Sequence, residues 1–501
     1  MHVAHAHLTE GAYTVNSSSK LIAASLVLNL LVGLAACSSE PSTIASGDSS
    51  VTSSATPLAV TTPTTPTTPT ETSSTSGQPR FRTDTACGTF DGAGCAPESE
   101  RIDIDPPTFS NPTEITNPLF PISELKSAVL LGVVDGKPFR SETTLLPATG
   151  TVVLEGRPVE VLLSQYMAYL DGRITEVALD RYAQADDGSV WYLGEDVYDY
   201  EDGTIIVSEG TWLAGRDGPP AMIMPAHPAV GQVFRAENIP GIVFEEVTIT
   251  KIDETVDGPL GKVEGAIVAE ELHLDGTTSD KIFAPGYGEF YSANDSEEEA
   301  LSLAVPVDAE STPQPAELAE LITGTWGLIE SARLEEWDAV AATLERIEGS
   351  WGTLSEASVP RRVADTLDAA LGSLVEAVGT RQVGTTTSAA IEVAQSALDL
   401  ELRFQPASVV DIERFHLHAQ QLRVDAVAAD PAGVAAEVAA LEWIRDRLTG
   451  SLTPDELQQI DDDLADLRTA SNISNSVGGN LGGAADQAAR LANLLRRLAG
   501  A

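Results

Sequence analysis

The sequence predicts an α+β, multidomain protein in which an antiparallel β meander, forming a curled sheet or half-barrel, is followed by an all-α helical bundle. Three observations predict this fold class. Turn dipeptides of the Asp-Gly type recur every 15 or 16 residues between positions 155 and 217, which suits long strands joined by tight hairpins. In the last third of the sequence, apolar residues recur at intervals of three and four residues, as on the buried face of a helix. Between these regions, residues 309–316 have the composition of a linker.

Composition limits the class of protein before any element is considered. The 501 residues include 75 acids and 29 basic residues, for a net charge of −46. Nucleic-acid binding is excluded as a first interpretation, because phosphate contacts need clusters of Lys and Arg and the sequence shows none. A hydrophobic fraction of 43% is enough for substantial cores, and the length suggests two or three domains.

Residues 1–36 are predicted to be a lipoprotein signal peptide. The apolar run Leu21–Leu34 follows Lys20 and is too short to span a bilayer, but it suits a signal-peptide core. The run ends in Leu34-Ala35-Ala36-Cys37, which resembles the lipobox of bacterial lipoproteins. That resemblance implies cleavage before Cys37 and a lipid anchor of the palmitate class on its thiol, with the body of the protein extracytoplasmic at the cell membrane. The alternative is an ordinary secretory signal followed by a chance cysteine.

The residues on either side of this signal support the same topology. The stretch before Lys20 is longer and less basic than a usual signal, so translation starts either at Met1 or at Val15. After the lipobox, residues 37–80 are rich in Ser, Thr and Pro and cannot form a core. In a polyproline II conformation, at about 3.1 Å per residue, this tether would hold the folded body up to roughly 130 Å from the membrane.

Two further cysteines, Cys87 and Cys95, lie at the start of the predicted β domain, residues 81–308. Three glycines among the seven intervening residues allow the chain to bend back, and an oxidising envelope would preserve a disulfide. A zinc site would need more ligands than this segment offers. We therefore expect a Cys87–Cys95 clasp at the edge of the folded region.

The β domain is predicted from turns and from the segments between them. Strand-forming segments such as 159–163 and 204–207 lie between dipeptides that favour positive φ. A meander of this kind curls enough to enclose an apolar interior or to pack against a covering segment. The turn dipeptides are Asp135-Gly136, Glu155-Gly156, Asp171-Gly172, Asp187-Gly188, Asp202-Gly203, Asp217-Gly218, Asp257-Gly258 and Asp275-Gly276.

Over about residues 109–291 the chain also resembles a domain of bacterial secreted proteins and lipoproteins that has no assigned function. The resemblance implies a fold and a location, but it brings no catalytic residues. The segments that carry it are Asn117-Pro118-Leu119-Phe120-Pro121, Val190-Trp191-Tyr192-Leu193-Gly194-Glu195, Glu209-Gly210-Thr211-Trp212, Ala214-Gly215-Arg216-Asp217-Gly218, Met224-Pro225-Ala226-His227-Pro228, Pro240-Gly241 and Ala284-Pro285-Gly286-Tyr287-Gly288.

Four residues of this region are candidates for a ligand site: His227, Trp191, Tyr192 and Trp212. His227 lies between prolines in an apolar loop, where it could be an acid, a base or a ligand. The alternative is a histidine whose ring nitrogens satisfy backbone groups. The motifs of serine hydrolases, P-loop proteins and zinc proteases are absent.

A cluster of acidic residues at 195–202 is a second candidate site, in this case for a metal ion. Its carboxylates could bind a hard cation such as Ca²⁺. Alternation along a strand, however, places Asp196, Tyr198 and Tyr200 on one face and Val197, Asp199 and Glu201 on the other. We therefore expect a solvated acidic hairpin and no metal.

Residues 317–501 are predicted to be a helical bundle of about seven or eight helices joined by short loops. Pro360, Pro431 and Pro454 mark helix starts. His416 and His418 point about 200° apart on a helix and cannot share one ion, so we expect one to be packed and the other to face solvent. The apolar stripes include Trp337, Val340, Leu344, Ile347, Trp351, then Val363, Leu367, Leu371, Leu374, Val378, then Val434, Val438, Leu441, and Leu457, Ile460, Leu464, Leu467.

Two hypotheses of function follow from these features. In the first, a membrane-anchored envelope lipoprotein binds a small apolar ligand or an envelope protein without catalysis and without a cofactor. In the second, scattered carboxylates and His227 form an unrecognised hydrolase or metal-dependent enzyme, since convergent sites can lack local motifs. The missing motifs favour the first hypothesis.

Overall fold

The computed structural model describes residues 95–208, 210–239, 241–474 and 481–499. The predicted signal peptide (1–36), the tether (37–80), Cys37 and Cys87 lie outside these residues. The lipid anchor and the Cys87–Cys95 clasp therefore stay predictions. Within the described part, the α+β fold class is confirmed, with strands in the first part and helices in the second.

The first part of the described chain forms one antiparallel sheet after a short 3-10 turn at Glu98–Glu100. Its strands are β1 (Ser127–Val134), β2 (Lys137–Leu154), β3 (Arg157–Leu170), β4 (Arg173–Gln184), β5 (Val190–Glu201), β6 (Thr204–Val207), β7 (Trp212–Leu213), β8 (Ala221–Met224), β9 (Val233–Ile239), β10 (Val243–Gly258), β11 (Gly261–His273), β12 (Thr278–Ala284), β13 (Gly288–Ala293) and β14 (Glu297–Val305).

The sheet consists of two meanders joined side by side. Its order is β6-β5-β4-β3-β2-β1-β14-β13-β12-β11-β10-β9, so the pairing of β1 with β14 joins the first six strands to the last six. β7 and β8 both pair with β5, and β8 also lies beside β9 at the far end of the sheet. The sheet is therefore curled until its two ends approach each other, and its inner face surrounds an interior.

The hairpin turns follow the dipeptides read from the sequence. At Asp135-Gly136, Glu155-Gly156, Asp171-Gly172 and Asp202-Gly203 both residues have positive φ, as a tight primed turn requires. Asp257-Gly258 does not form the turn, because β10 continues through Gly258, which pairs with Gly261, and the turn is made by residues 259–260. At Asp187-Gly188 and Asp275-Gly276 only the glycine has positive φ. The prediction of a hairpin turn at Asp217-Gly218 is wrong, because this dipeptide lies between β7 and β8, which both pair with β5.

The second part of the described chain is helical, as predicted. Thr453 and Glu456 form a reciprocal capping box at the start of one helix, and Pro431 lies in the first turn of another. The helices are α1 (Ala316–Arg333), α2 (Trp337–Leu354), α3 (Arg361–Thr380), α4 (Val383–Glu401), α5 (Ala407–Ala428), α6 (Pro431–Arg447), α7 (Pro454–Ser474) and α8 (Leu481–Ala499). Within the described residues, no helix is both long enough and apolar enough to cross a membrane.

The helices pack on the outer face of the sheet and share hydrophobic clusters with it. Val129 and Leu303 belong to the cluster of α1–α5, and Met167 and Val177 belong to the cluster of α5–α8. The predicted linker is tied down where Glu310 pairs with Arg403 at 2.6 Å. Sheet and helices therefore bury common apolar surface.

A charged cluster, which we call the interface network, lies between the sheet and the helices. Its members are Arg140 and Glu142 from β2, Asp399 from α4, Asp411 and Arg414 from α5, and Arg447 from α6. Arg447 Nη1 lies 2.6 Å from Glu142 Oε2, and Arg140 Nη1 lies 2.6 Å from Asp399 Oδ2. Three guanidinium groups face three carboxylates, so the network is balanced in charge.

Candidate functional site

The inner face of the curled sheet carries a ring of acidic side chains that we call the acidic belt. Six of its seven carboxyl groups are at most 7% exposed, and Glu289 is half-buried. The belt also contains Lys281 and His273, the two cationic or titratable nitrogen side chains among these acids. Its carboxyl groups belong to Asp180, Glu195, Glu237, Glu245, Glu271, Glu289 and Glu299.

Strand register explains why these acids meet. Asp180 on β4 lies opposite Glu195 on β5, and Glu237 on β9 lies opposite Glu245 on β10. Glu245 in turn lies opposite His273 on β11. Directly opposed residues of antiparallel strands share one face of the sheet, so each pairing extends the belt by one strand along the inner wall.

Burial changes the proton affinity of the belt. Burial raises the pKa of Asp180 to about 6, that of Glu299 to about 7 and that of Glu195 to about 8. Burial and the charge of Glu195 also raise the pKa of Glu237 well above its usual value. Negative charge is costly here because the interior is poorly solvated and rich in like charges.

Few donors compensate these acids. Lys281 Nζ lies 2.8 Å from Glu289 Oε1 and 3.3 Å from Glu271 Oε2. Glu237 Oε1 accepts a hydrogen bond from Trp212, but Glu237 Oε2 and Glu245 Oε1 are buried and accept none from the described part of the chain. The belt therefore has more carboxyl groups than basic partners, and it has free acceptor capacity.

Aromatic rings line the belt on one side. Tyr182 stacks on Tyr192 with ring centroids 4.9 Å apart, and Tyr192 meets Trp212 edge to face at 5.4 Å. The Tyr192 hydroxyl donates to Asp180 Oδ1 at 2.7 Å, and Trp212 Nε1 donates to Glu237 Oε1 at 3.2 Å. Aromatic faces beside carboxylates are an environment that attracts positive charge.

A cavity of about 90 Å³ opens beside the belt. Five belt acids line it, namely Asp180, Glu245, Glu271, Glu289 and Glu299. Apolar side chains also line it, including Phe120, Ile122, Leu125, Leu130 and Phe283. The interior therefore offers both carboxyl groups and apolar side chains to one small ligand.

The segment before β1 closes part of this cavity. Asn117, in the first of the resemblance segments, donates through Nδ2 to the carbonyl oxygens of Gly188 and Pro225. These bonds fix the chain so that Phe120 and Ile122 reach the interior, where Phe120 meets Tyr182 edge to face at 4.9 Å.

The structure separates the four residues predicted for a ligand site. Tyr192 and Trp212 contact the acidic belt, as described above. Trp191 is buried in the hydrophobic cluster of this end of the sheet, where its Nε1 donates to Ser189. His227 is exposed in the loop after β8 and does not join the belt acids. The position of His227 thus gives no support to the enzyme hypothesis that relied on it.

The predicted acidic hairpin has two different faces. Asp196, Tyr198 and Tyr200 do share the outer face, where Tyr198 and Tyr200 contact Trp443 of α6. Glu195 and Asp199 point inward and are buried. The expectation that this cluster is solvated is therefore wrong for its inward-facing members, because the inner face of the sheet is enclosed.

The two histidines of α5 also differ from expectation. Both are buried, His416 at 3% and His418 at 8% exposure. His418 Nδ1 lies 2.7 Å from Glu437 Oε2, and His416 packs edge to face on Trp326. The prediction that one of them faces solvent is wrong, because α6 and α1 cover both sides of the helix.

Sequence reasoning missed His273 and most of the belt. The signal that could have found them is the alternation Ala269, Glu271, His273 along β11, which places an acid and a histidine on the same face as a buried alanine. Comparison with protein-family models and with curated proteins finds no match to this chain. Its site must therefore be interpreted from its own geometry.

Proposed function

We propose that the protein is a lipid-anchored, extracytoplasmic binding protein whose curled sheet binds a small cation in its interior. The observation that supports this proposal best is the composition of the acidic belt, with seven carboxyl groups facing one lysine and one histidine. Buried charge is stable only when it is paired or neutralised. A bound cation would pair with the carboxyl groups that lack a basic partner, in place of the protons that their raised pKa values favour.

The residues that line the cavity change the ligand expected from the sequence, from a purely apolar molecule to one that also carries positive charge. Phe120, Ile122 and Leu130 provide apolar surface, and Glu245 and Glu271 line the same cavity. A purely apolar ligand would make no polar contact with these carboxylates. A positively charged group would meet them, and the apolar side chains would limit the access of water to the contact.

The test is thermal unfolding of the full chain in 0.15 M salt, where surface charges are largely screened. The probes are zinc chloride, manganese chloride, choline chloride and spermidine, with glucose and acetate as neutral and anionic controls. At 100 times its Kd a bound cation stabilises the protein by about 2.7 kcal/mol. We expect at least one cation, and neither control, to raise the unfolding midpoint.

A matched pair of variants separates interior from surface binding. The double variant Glu237→Gln, Glu245→Gln interrupts the belt and should lose the cation-dependent shift. Glu270→Gln changes an exposed acid on the opposite face of β11 and should keep it. The proposal is overturned if no cation stabilises the chain, or if the belt variant responds as strongly as the native sequence.

The membrane anchor is tested separately. The Cys37→Ser variant should remain in the soluble fraction of disrupted cells, whereas the native chain should sediment with membranes and carry the added lipid mass on its N-terminal peptide. A native chain that is soluble and has no lipid on Cys37 would contradict the anchor, while leaving the cation site intact.

A further inference from the structure

Three side chains of the acidic belt converge as metal ligands do. Glu271 and His273 are two residues apart on β11 and share its inner face, and Glu245 of β10 lies directly opposite His273. Each offers one ligand atom, and these atoms all lie within 4.8 Å of one another. His273 Nδ1 is 3.7 Å from Glu245 Oε1, and Nε2 is 3.9 Å from Glu271 Oε2.

The surroundings of this triad fit a metal site. All three residues are buried, and Glu245 Oε1 accepts no hydrogen bond from the described part of the chain. Ser279 Oγ lies 2.9 Å from His273 Nε2. A hydroxyl at this distance can orient the imidazole ring, as outer-sphere partners of metal-bound histidines do.

Lys281 is the competing cation. Its ammonium group is closer to Glu289, at 2.8 Å, than to Glu271, at 3.3 Å. Glu289 can therefore keep Lys281 paired while Glu271 turns to an ion. Glu245 Oε1 accepts no hydrogen bond from the described chain, and the His273 ring bonds to Ser279 through Nε2, so neither residue depends on Lys281 for a hydrogen bond.

From this geometry we propose that Glu245, Glu271 and His273 bind a divalent transition-metal ion, with Zn²⁺ as the reference case. The inference deepens the proposed function and rests on it, since the triad is part of the same belt. One imidazole nitrogen and two carboxylate oxygens suit Zn²⁺, Co²⁺ or Mn²⁺ better than Ca²⁺ or Mg²⁺, which prefer oxygen ligands alone. Three protein ligands leave a coordination position open.

A small ligand in the cavity could occupy the open coordination position. Glu245 and Glu271 both line the cavity, so a fourth ligand of the ion would lie within it, in a space that Phe120 and Leu130 also line. Water or a small anionic or neutral ligand would occupy that position.

The experiment is isothermal titration of the metal-free full chain with zinc chloride, together with the visible absorption of the Co²⁺ form. We expect one tight interior site with a Co²⁺ spectrum of low coordination number. His273→Gln and Glu271→Gln should each lower the Zn²⁺ affinity by more than about 100-fold, and Ser279→Ala by about 10- to 100-fold. Glu270→Gln should leave the affinity unchanged.

His273→Gln also separates this inference from the proposed function. It removes the nitrogen ligand without removing a carboxylate, so any binding of choline or spermidine by the belt should persist. If these organic cations bind but Zn²⁺ does not, or if Zn²⁺ binds equally to native chain and His273→Gln, the metal site is refuted and cation binding stands. If no cation binds, both proposals fail. Circular dichroism of each variant confirms that it is folded.

Discussion

The two faces of the same sheet bury charge in opposite ways. On the outer face, the interface network pairs three arginines with three carboxylates across β2, α4, α5 and α6. On the inner face, the acidic belt has seven carboxyl groups and one lysine, with His273 as the other nitrogen group. Both clusters are largely removed from water, yet only the outer one has equal numbers of acidic and basic groups.

The pKa values follow this difference. Burial alone would raise the pKa of Glu142, but the guanidinium groups of Arg414, Arg140 and Arg447 hold it well below its usual value. Burial raises the pKa of Glu195 to about 8, and the charge of Asp180 adds to the effect. The sheet therefore has its structural ion pairs on one face, while the other face has carboxyl groups without basic partners that a ligand could use.

We expect the largest loss of stability when the interface network is disrupted. Glu142→Gln removes a carboxylate that contacts Arg140, Arg414 and Arg447, leaving buried guanidinium charge without compensation. Removing one partner of a buried ion pair costs about 3–5 kcal/mol. Urea unfolding at pH 7 should show a loss of this size, and Glu270→Gln should show none. A loss below about 1 kcal/mol would mean that the network does not hold the helices on the sheet.

The next largest effect is a dependence of the free energy of unfolding on pH, which originates in the carboxyl groups of the acidic belt. Asp180, Glu299 and Glu195 have folded-state pKa values of about 6, 7 and 8, above the usual carboxyl value. The folded state therefore binds more protons than the unfolded state, and stability present at low pH is lost as pH rises through this window. We expect the free energy of unfolding to fall by several kcal/mol between pH 5 and pH 8, because each extra proton that the folded state holds contributes about 1.4 kcal/mol per pH unit.

The control for this pH dependence is the double variant Glu195→Gln, Glu299→Gln, whose slope over the same window should be clearly smaller. Glu142 should contribute nothing here, because its pKa lies well below this range. A native chain whose stability is flat or rises from pH 5 to pH 8 would show that the belt is not an uncompensated acidic cluster.

A single substitution in the belt should stabilise the protein. Glu195→Gln removes a carboxyl group that is 0% exposed and next to other acids, while it nearly preserves the side-chain shape. At pH 8 we expect a gain of at least about 1 kcal/mol in the free energy of unfolding, because each unit of raised pKa corresponds to about 1.4 kcal/mol. The same amide substitution thus has opposite signs at positions 142 and 195. Destabilisation by Glu195→Gln at pH 8 would contradict the proposed difference between the two faces of the sheet.

The smallest effect concerns the outer face next to β5. Trp443 Nε1 of α6 donates to the Tyr200 hydroxyl at 2.8 Å. Tyr200→Phe removes this acceptor and should cost about 1 kcal/mol in urea unfolding, without changing the affinity for any cation. A change in cation affinity would mean that the two faces of β5 are coupled.

Much of this fold could be predicted from local signals. Hairpins at Asp135-Gly136 and Asp171-Gly172 follow from the conformations those residues adopt, and the stripes of α3 and α7 follow from helical periodicity. The belt could not be predicted in the same way. Alternation shows that Glu195 and Asp199 share a face, but only the curvature of the sheet makes that face an enclosed interior.

The partners in both charged clusters are also distant in sequence. Arg447 contacts Glu142 across 305 positions, and Trp212 on β7 reaches Glu237 on β9 across 25 positions and the intervening strand β8. Such pairings depend on tertiary packing and on the joining of β1 to β14. His227 drew attention because its prolines make a local pattern, whereas His273 lies in an ordinary strand and becomes notable only when β10 is paired beside it.

The most direct test of a cation site inside the sheet is the anomalous diffraction of crystals of the full chain grown with Zn²⁺. The protein has a net charge of −46, so zinc will also collect on its surface. We predict one interior peak about 2.0–2.2 Å from ligand atoms of Glu245, Glu271 and His273, absent in His273→Gln crystals. Peaks confined to surface carboxylates, with none in the acidic belt, would contradict the proposed cation site inside the sheet.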